Sequence, residues 1–120
     1  MLFKVNNYAT LQNALDGLCG HLTAQRVEQE RIFDCKLVAC ELLGNVLKHG
    51  DGYADLQVEL QDGYITLRVH SKTSFQLPKE ITCSDLLAEN GRGLFLVQTL
   101  CEGQIHTEQN VIVAKIKLEK

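Results

Sequence analysis

The stretch DLQVELQDGYITLRVH, residues 55–70, constrains the fold more than any other part of the chain. Two runs of alternating apolar and polar residues flank Asp62-Gly63, a favoured two-residue hairpin turn. The apolar members are Leu56, Val58 and Leu60 in the first run, and Ile65, Leu67 and Val69 in the second. An antiparallel hairpin with one apolar and one polar face is therefore predicted, and its apolar face needs a second layer to cover it.

The rest of the chain supplies that layer. A short strand is predicted at MLFKV, a helix beginning after Thr10 as N-cap, and a longer helix over about residues 28–48 that stops near Gly50. A long loop follows the hairpin and contains a possible short helix, SDLLAE. GRGLFLVQTLCEG then predicts a third helix, and QIHTEQ and VIVAKIKLEK predict two more strands. The predicted fold is α+β, a two-layer sandwich of a mainly antiparallel sheet covered on one face by about three helices.

Length and composition limit the possible functions. A chain of 120 residues with 45% hydrophobic residues suits one domain, residues 1–120, with a core that needs no disulfides. The net charge of -3 and the lack of a basic cluster argue against direct nucleic-acid binding. No apolar run reaches membrane-spanning length and no signal peptide is visible, so cytoplasmic residence is expected.

The cysteines do not suggest a metal site or a disulfide framework. Five are scattered through the sequence without a CxxC pair. We expect buried, reduced thiols. A Cys–His nucleophile pair is possible in principle, but no local motif marks one.

Three polar residues recur at helical spacing in ELLGNVLKHG: Glu41, Asn45 and His49. At 100° per residue they fall within about 80° of one another, along one border of the predicted core face. They can simply cap loops or bond to backbone. Alternatively they form a pocket wall, in which an asparagine oxygen suits Mg²⁺, a glutamate orients or deprotonates a hydroxyl, and a histidine meets a phosphate.

A glycine-rich turn precedes the third helix. In ENGRGLFLVQ, Gly91 and Gly93 flank Arg92 and Leu94 opens the apolar run. Glycines let backbone amides approach an anion at a helix N-terminus, although a tight turn explains the same pattern. The motif is neither a P-loop nor a dinucleotide-binding fingerprint, because the further residues that those require are absent.

Together, the two blocks resemble the ATP-binding fold shared by gyrase, histidine kinases and MutL, the GHKL or Bergerat fold. Within it, the short chain looks most like the bacterial anti-sigma factor serine kinases. The resemblance implies ATP and Mg²⁺ as ligands, Glu41 as the base and Asn45 as the Mg²⁺ ligand. It also implies that Gly91, Arg92, Gly93 and Leu94 close over the phosphates, and that residues 71–90 form an ATP lid.

The resemblance has one departure. The family follows its second hairpin strand with D-x-G-x-G, whose aspartate binds the adenine amino group, whereas this chain reads VHSKTSFQLP. Ser71 falls about where the aspartate belongs, and no glycine follows. A serine still bonds adenine, directly or through water, but more weakly and less selectively.

Three hypotheses follow. In the first, the chain binds ATP and Mg²⁺ together with a sigma factor or an antagonist protein of the anti-anti-sigma type, and phosphorylates a serine of the antagonist when ATP is used. In the second, it is a partner-switching interaction module that has lost adenine recognition and works without nucleotide. In the third, it is an unrelated structural α+β domain. The resemblance also implies a homodimer.

Overall fold

The computed structural model describes residues 2–49, 53–71, 96–102, 104–108 and 110–118, with backbone alone at 48 and 49. The strands are β1 (Leu2–Val5), β2 (Ala54–Gln61), β3 (Tyr64–Ser71), β4 (Ile105–Glu108) and β5 (Val111–Lys117). The helices are α1 (Tyr8–Ala24) and α2 (Gln29–His49), and residues 96–100 are also helical (α3). Among these residues, no helix combines the length and the apolar character needed to cross a membrane.

The five strands form one sheet in the order β1-β2-β3-β5-β4, and every neighbouring pair is antiparallel. The predicted hairpin is confirmed, with Gln61 opposite Tyr64 across the turn. Asp62 and Gly63 both have positive φ, 55° and 81°, as a type I′ turn requires. This turn fixes the register and therefore which side chains face the helices.

The helices cover one face of the sheet. The residues that β2, β3 and β5 direct to that face are buried: Ala54, Leu56, Val58, Ile65, Leu67, Val69, Ile112, Ala114 and Ile116. α2 lies on the middle of the sheet, against β2, β3 and β5, while α1 packs on α2 and β1. The other face is largely polar, with His70 half-buried and His106 exposed. The predicted α+β sandwich is thus confirmed.

The N-cap of α1 lies three residues before the predicted one. Asn7, not Thr10, is the N-cap: its side chain accepts a hydrogen bond from the Thr10 backbone N–H at 2.8 Å. The Thr10 hydroxyl in turn accepts from the Asn7 backbone N–H at 3.0 Å, completing a capping box. The predicted N-cap was wrong because asparagine and threonine are both favoured at an N-cap, so residue type alone does not distinguish Asn7 from Thr10.

α2 matches its predicted limits to one residue at each end, and its buried side is the predicted one. Ile32, Cys35, Val38, Ala39, Leu42, Leu43 and Val46 are all 5% exposed or less. The third helix and the last two strands also lie where the sequence predicts. The possible short helix SDLLAE lies outside the described residues.

Candidate functional site

The candidate site begins on one border of α2. Val38 and Leu42 are fully buried and hold the helix on the sheet. Glu41 and Asn45 lie next to them around the helix and are half-buried, so both side chains sit where the core meets the surface. Residues four apart on a helix have neighbouring side chains, about 6 Å between Cβ atoms. The border position predicted for this carboxylate–amide pair is what the structure shows.

Within the described part of the chain, the Glu41 and Asn45 side chains make no hydrogen bond or ion pair. No buried side-chain nitrogen or oxygen in that part lacks a partner. Glu41 and Asn45 are thus polar groups that water reaches, and a ligand can replace that water without breaking an internal bond. Such groups fit a binding role better than a structural one.

Ser71 closes β3 on the helix side of the sheet. It continues the series Ile65, Leu67 and Val69, lies opposite Ala54 of β2, and is 5% exposed. Ser71 therefore lies on the same side of the sheet as α2, and so as Glu41 and Asn45.

Asn110 holds Ser71 in place. The backbone N–H of Ser71 donates to the Asn110 carbonyl at 2.9 Å, and the Asn110 side-chain amide donates back to the Ser71 carbonyl. Two hydrogen bonds across 39 residues tie the end of β3 to the β4–β5 turn. The sequence analysis did not identify Asn110. Its side-chain partner depends on the strand order, and no local pattern reveals that order.

The remaining predicted site residues are not all described. His49 is the last residue of α2, but its side chain lies outside the described set. Gly91, Arg92, Gly93 and Leu94 also lie outside the described residues, as does residue 72 onward of the predicted lid. Their roles stay predictions.

A buried ion pair continues the polar border toward the N-terminus of α2. Arg31 is 7% exposed, and its guanidinium lies 3.1 Å from the Asp34 carboxylate. The exposed Glu30 carboxylate lies further away, at 3.7 Å. The i, i+3 spacing of Arg31 and Asp34 is visible in the sequence and indicates a pair. Its burial depends on tertiary packing and could not be predicted.

The cysteines show no activated thiol among the described residues. Burial, reinforced by the Asp34 carboxylate, raises the pKa of both Cys35 and Cys101 to about 12. These thiols stay protonated near neutral pH and are poor nucleophiles. The expectation of buried thiols is confirmed for Cys35 and Cys101, but it is wrong for Cys40, which is exposed on α2, and Cys19 is only half-buried. Cys19, Cys35, Cys40 and Cys101 are free thiols, and Cys83 lies outside the described residues.

The oxygen atoms of Glu41 and Asn45, on the border of α2, fit a Mg²⁺ ion that is held mainly by the phosphates of a ligand. Asn45 offers one amide oxygen, with the Glu41 carboxylate one turn away. In the described part of the chain no three histidine, cysteine or acidic side chains converge as a cation cage. Mg²⁺ in nucleotide sites typically takes one or two protein oxygens and completes its shell with phosphates and water. The residues present suit that arrangement.

A shallow depression on the other face of the sheet does not join this site. It is lined by Leu2, Asp55, Gln57 and His70, whose side chains point away from the helices. The sheet separates it from Glu41 and Asn45.

Comparison with known proteins agrees with the fold. No curated protein matches the chain. A family model for the histidine kinase-like ATPase domain matches residues 5–116. This range contains β2, β3 and β4 entirely, and it leaves out only the first three residues of β1 and the last residue of β5. The match also spans α2, Ser71 and the glycine-rich turn. The chain therefore belongs to the histidine kinase-like ATPase domain family.

Proposed function

We propose that this ATPase-type domain is a cytoplasmic regulator of the anti-sigma type, which binds Mg-ATP and phosphorylates a serine on an antagonist protein. The observation that supports this most is the pair Glu41 and Asn45. Both are half-buried, one turn apart, and without an internal partner among the described residues. Phosphoryl transfer needs a cation ligand and a group that manages the attacking hydroxyl, and these two residue types supply them.

In this proposal each residue has one task. The Asn45 amide oxygen holds Mg²⁺, which when bound would neutralise charge on the ATP phosphates. The Glu41 carboxylate accepts the proton of the incoming serine hydroxyl. At the same time the serine oxygen bonds to the terminal phosphorus of ATP, and ADP leaves. Gly91, Arg92, Gly93 and Leu94 are proposed to bind the phosphates, with His49 nearby. Most of the rate would come from positioning and charge stabilisation.

Base recognition is assigned to Ser71. Its backbone is fixed by Asn110, so a hydroxyl at this position is presented in a constant place. A single hydroxyl binds an adenine amino group less strongly than a carboxylate does, because charge-assisted hydrogen bonds are stronger. We expect measurable but modest nucleotide affinity.

The second candidate is an interaction module that binds a sigma factor or its antagonist without nucleotide. Ser71 supports it, because a serine there, with no glycine after it, offers less to adenine than the family motif does. The two candidates differ in one measurable property, which is nucleotide binding.

The test is a thermal melt with Mg-ATP, Mg-ADP and nucleotide without magnesium. A ligand at about 100 times its dissociation constant should raise the unfolding free energy by roughly 2.7 kcal/mol, which is seen as a higher Tm. Asn45→Ala should keep the fold and lose the magnesium-dependent part of the shift. Asn13→Ala, an exposed asparagine on α1, is the matched control and should keep it.

Each outcome decides between the candidates. A wild-type chain that shows no shift at millimolar nucleotide would sink ATP binding and leave the interaction module. Magnesium dependence that survives in Asn45→Ala would show that the ion sits elsewhere. Glu41→Gln should retain the shift, because the proposal gives Glu41 a role in transfer and none in binding; loss of the shift would contradict that division.

A further inference from the structure

The two backbone polar groups of Ser71 are both bound by Asn110. The N–H of Ser71 donates to the Asn110 carbonyl at 2.9 Å, and the Ser71 carbonyl accepts from the Asn110 side-chain amide. A ligand that reaches Ser71 therefore meets its hydroxyl, because the backbone is already engaged. Base recognition at Ser71 thus depends on one neutral group.

The side chains beside Ser71 on the helix side of the sheet are apolar. Ala54 lies opposite Ser71 on β2, and Val69 precedes it on the same side of β3. Both are fully buried. Neither side chain has a polar atom that could bind the edge of a base, so neither adds to the discrimination that the Ser71 hydroxyl makes.

Ser71 lies towards the C-terminal end of α2. That helix ends at His49 and β2 begins at Ala54, so a short connection joins the helix to the strand residue that pairs with Ser71. Asn45 is one turn from this end of the helix, and Glu41 is one turn further away. A nucleotide with its base at Ser71 would therefore direct its phosphates along α2, towards Asn45 and Glu41.

A hydroxyl and a carboxylate differ in what they can bind. A carboxylate only accepts hydrogen bonds, whereas a serine hydroxyl both donates and accepts. The group at C6 of a purine is an amino donor in adenine and a carbonyl acceptor in guanine. A carboxylate at position 71 would pair with the adenine amino group and repel the guanine carbonyl. A hydroxyl can turn to pair with either.

The burial of Ser71 gives this difference its weight. Only 5% of the residue is exposed. In an enclosed site, a polar group that finds no partner loses the hydrogen bonds that water would have made with it. A site that offers only an acceptor therefore rejects a base that also offers an acceptor. The Ser71 hydroxyl imposes no such penalty on either purine.

We propose that the site binds purine nucleotides without distinguishing the group at C6, so that Mg-GTP binds about as tightly as Mg-ATP. This tolerance rests on the proposed function, since it describes a site that binds nucleotides, and it names the class of nucleotide that the site takes. Asn45 and the proposed phosphate-binding residues would contact parts that ATP and GTP share. Discrimination is left to the base, where Ser71 provides none.

Calorimetric titration of the wild-type chain tests the tolerance. Mg-GTP, and Mg-ITP, whose base is guanine without its 2-amino group, should have dissociation constants within about fivefold of that for Mg-ATP. A larger gap for either nucleotide would overturn the tolerance and leave ATP binding intact. If none of the three nucleotides binds at millimolar concentration, the proposed nucleotide binding is wrong, and the tolerance with it.

Substitutions of Ser71 test whether its hydroxyl causes the tolerance. Ser71→Asp should raise the preference for Mg-ATP over Mg-GTP to at least about tenfold, because a carboxylate attracts the amino group and repels the carbonyl. Asn13→Asp adds the same charge at an exposed position of α1 and should leave the ratio unchanged. A Ser71→Asp chain that is folded by circular dichroism yet keeps the wild-type ratio would show that the base is read elsewhere.

Ser71→Ala gives a second test that does not introduce a buried charge. It should weaken Mg-ATP and Mg-GTP by the same factor, since the hydroxyl serves both bases. Unequal weakening of the two nucleotides would contradict a hydroxyl that binds either group at C6.

Discussion

At the scale of single residues, two glycines of α1 have opposite surroundings. A Cβ on Gly17 would lie 2.4 Å from Cε1 of the Phe3 ring, whereas a Cβ on Gly20 would meet nothing within 4 Å. Gly17 is thus the point where β1 and α1 approach each other closely. Phe3 is half-buried and packs against the core, so a displaced ring gives up part of that packing.

Gly17→Ala should therefore lower the free energy of unfolding by about 1–3 kcal/mol, the usual cost of overpacking. Gly20→Ala is the matched control and should raise it by up to about 1 kcal/mol, because alanine favours the helix. Denaturant unfolding at equilibrium measures both. Equal effects of the two substitutions would mean that the Phe3 ring does not restrict Gly17.

The two buried thiols should make the free energy of unfolding decrease at alkaline pH. Burial raises the pKa of Cys35 and Cys101 from 9.0 to about 12, so the folded chain keeps protons that the unfolded chain releases. Their contribution is complete below about pH 9 and is lost as pH rises towards 12. Between these limits each thiol should reduce the unfolding free energy by about 1.4 kcal/mol per pH unit.

Cys35→Ala should remove about half of that slope between pH 9 and pH 10.5, measured as unfolding free energy against pH. Cys40→Ala is the control: Cys40 is exposed and should leave most of the slope in place. A slope unchanged in Cys35→Ala would show that other groups cause the alkaline loss.

At the scale of elements, α2 carries the buried guanidinium of Arg31, and the Asp34 carboxylate is its nearest counter-charge. Arg31 and Asp34 are both largely buried, with 3.1 Å between guanidinium and carboxylate. Asp34→Ala leaves the guanidinium without its near counter-charge and should cost up to about 3 kcal/mol of unfolding free energy. Glu30→Ala removes an exposed carboxylate from the same arginine and should change it by less than about 0.5 kcal/mol. If the two variants unfold alike in denaturant, the burial of the pair has no energetic consequence.

The elements also show what the sequence could and could not predict. The β2–β3 hairpin was predictable because its alternation and its Asp62-Gly63 turn are both local. The buried side of α2 was predictable because helical periodicity alone defines it. The start of α1 was not, because Asn7 and Thr10 compete as caps and end up in one capping box. The link from Asn110 to Ser71 was not, because it joins residues far apart in the chain. For the site, Glu41 and Asn45 could be placed by periodicity, whereas no local pattern indicated what fixes Ser71.

At the scale of the whole molecule, Asn110 connects the hairpin to the C-terminal strands. Asn110→Ala removes the side-chain donor to the Ser71 carbonyl. The loss should be about 1–2 kcal/mol of unfolding free energy, because the carbonyl lies at a buried position. Hydrogen exchange at the Ser71 amide, which donates to Asn110, should also become faster. His106 is exposed on β4, and His106→Ala is the control, which should leave the Ser71 amide protected. Equal exchange rates in both variants would contradict a stabilising link from Asn110 to Ser71.

The two edge strands, β1 and β4, are the shortest in the sheet, with four residues each. Lys4 lies within one and the exposed His106–Glu108 pair within the other. A short, charged edge offers few free backbone groups to an incoming strand and imposes a desolvation cost on it. The sheet thus gives an incoming strand little template, so the domain should resist irreversible aggregation through its edges.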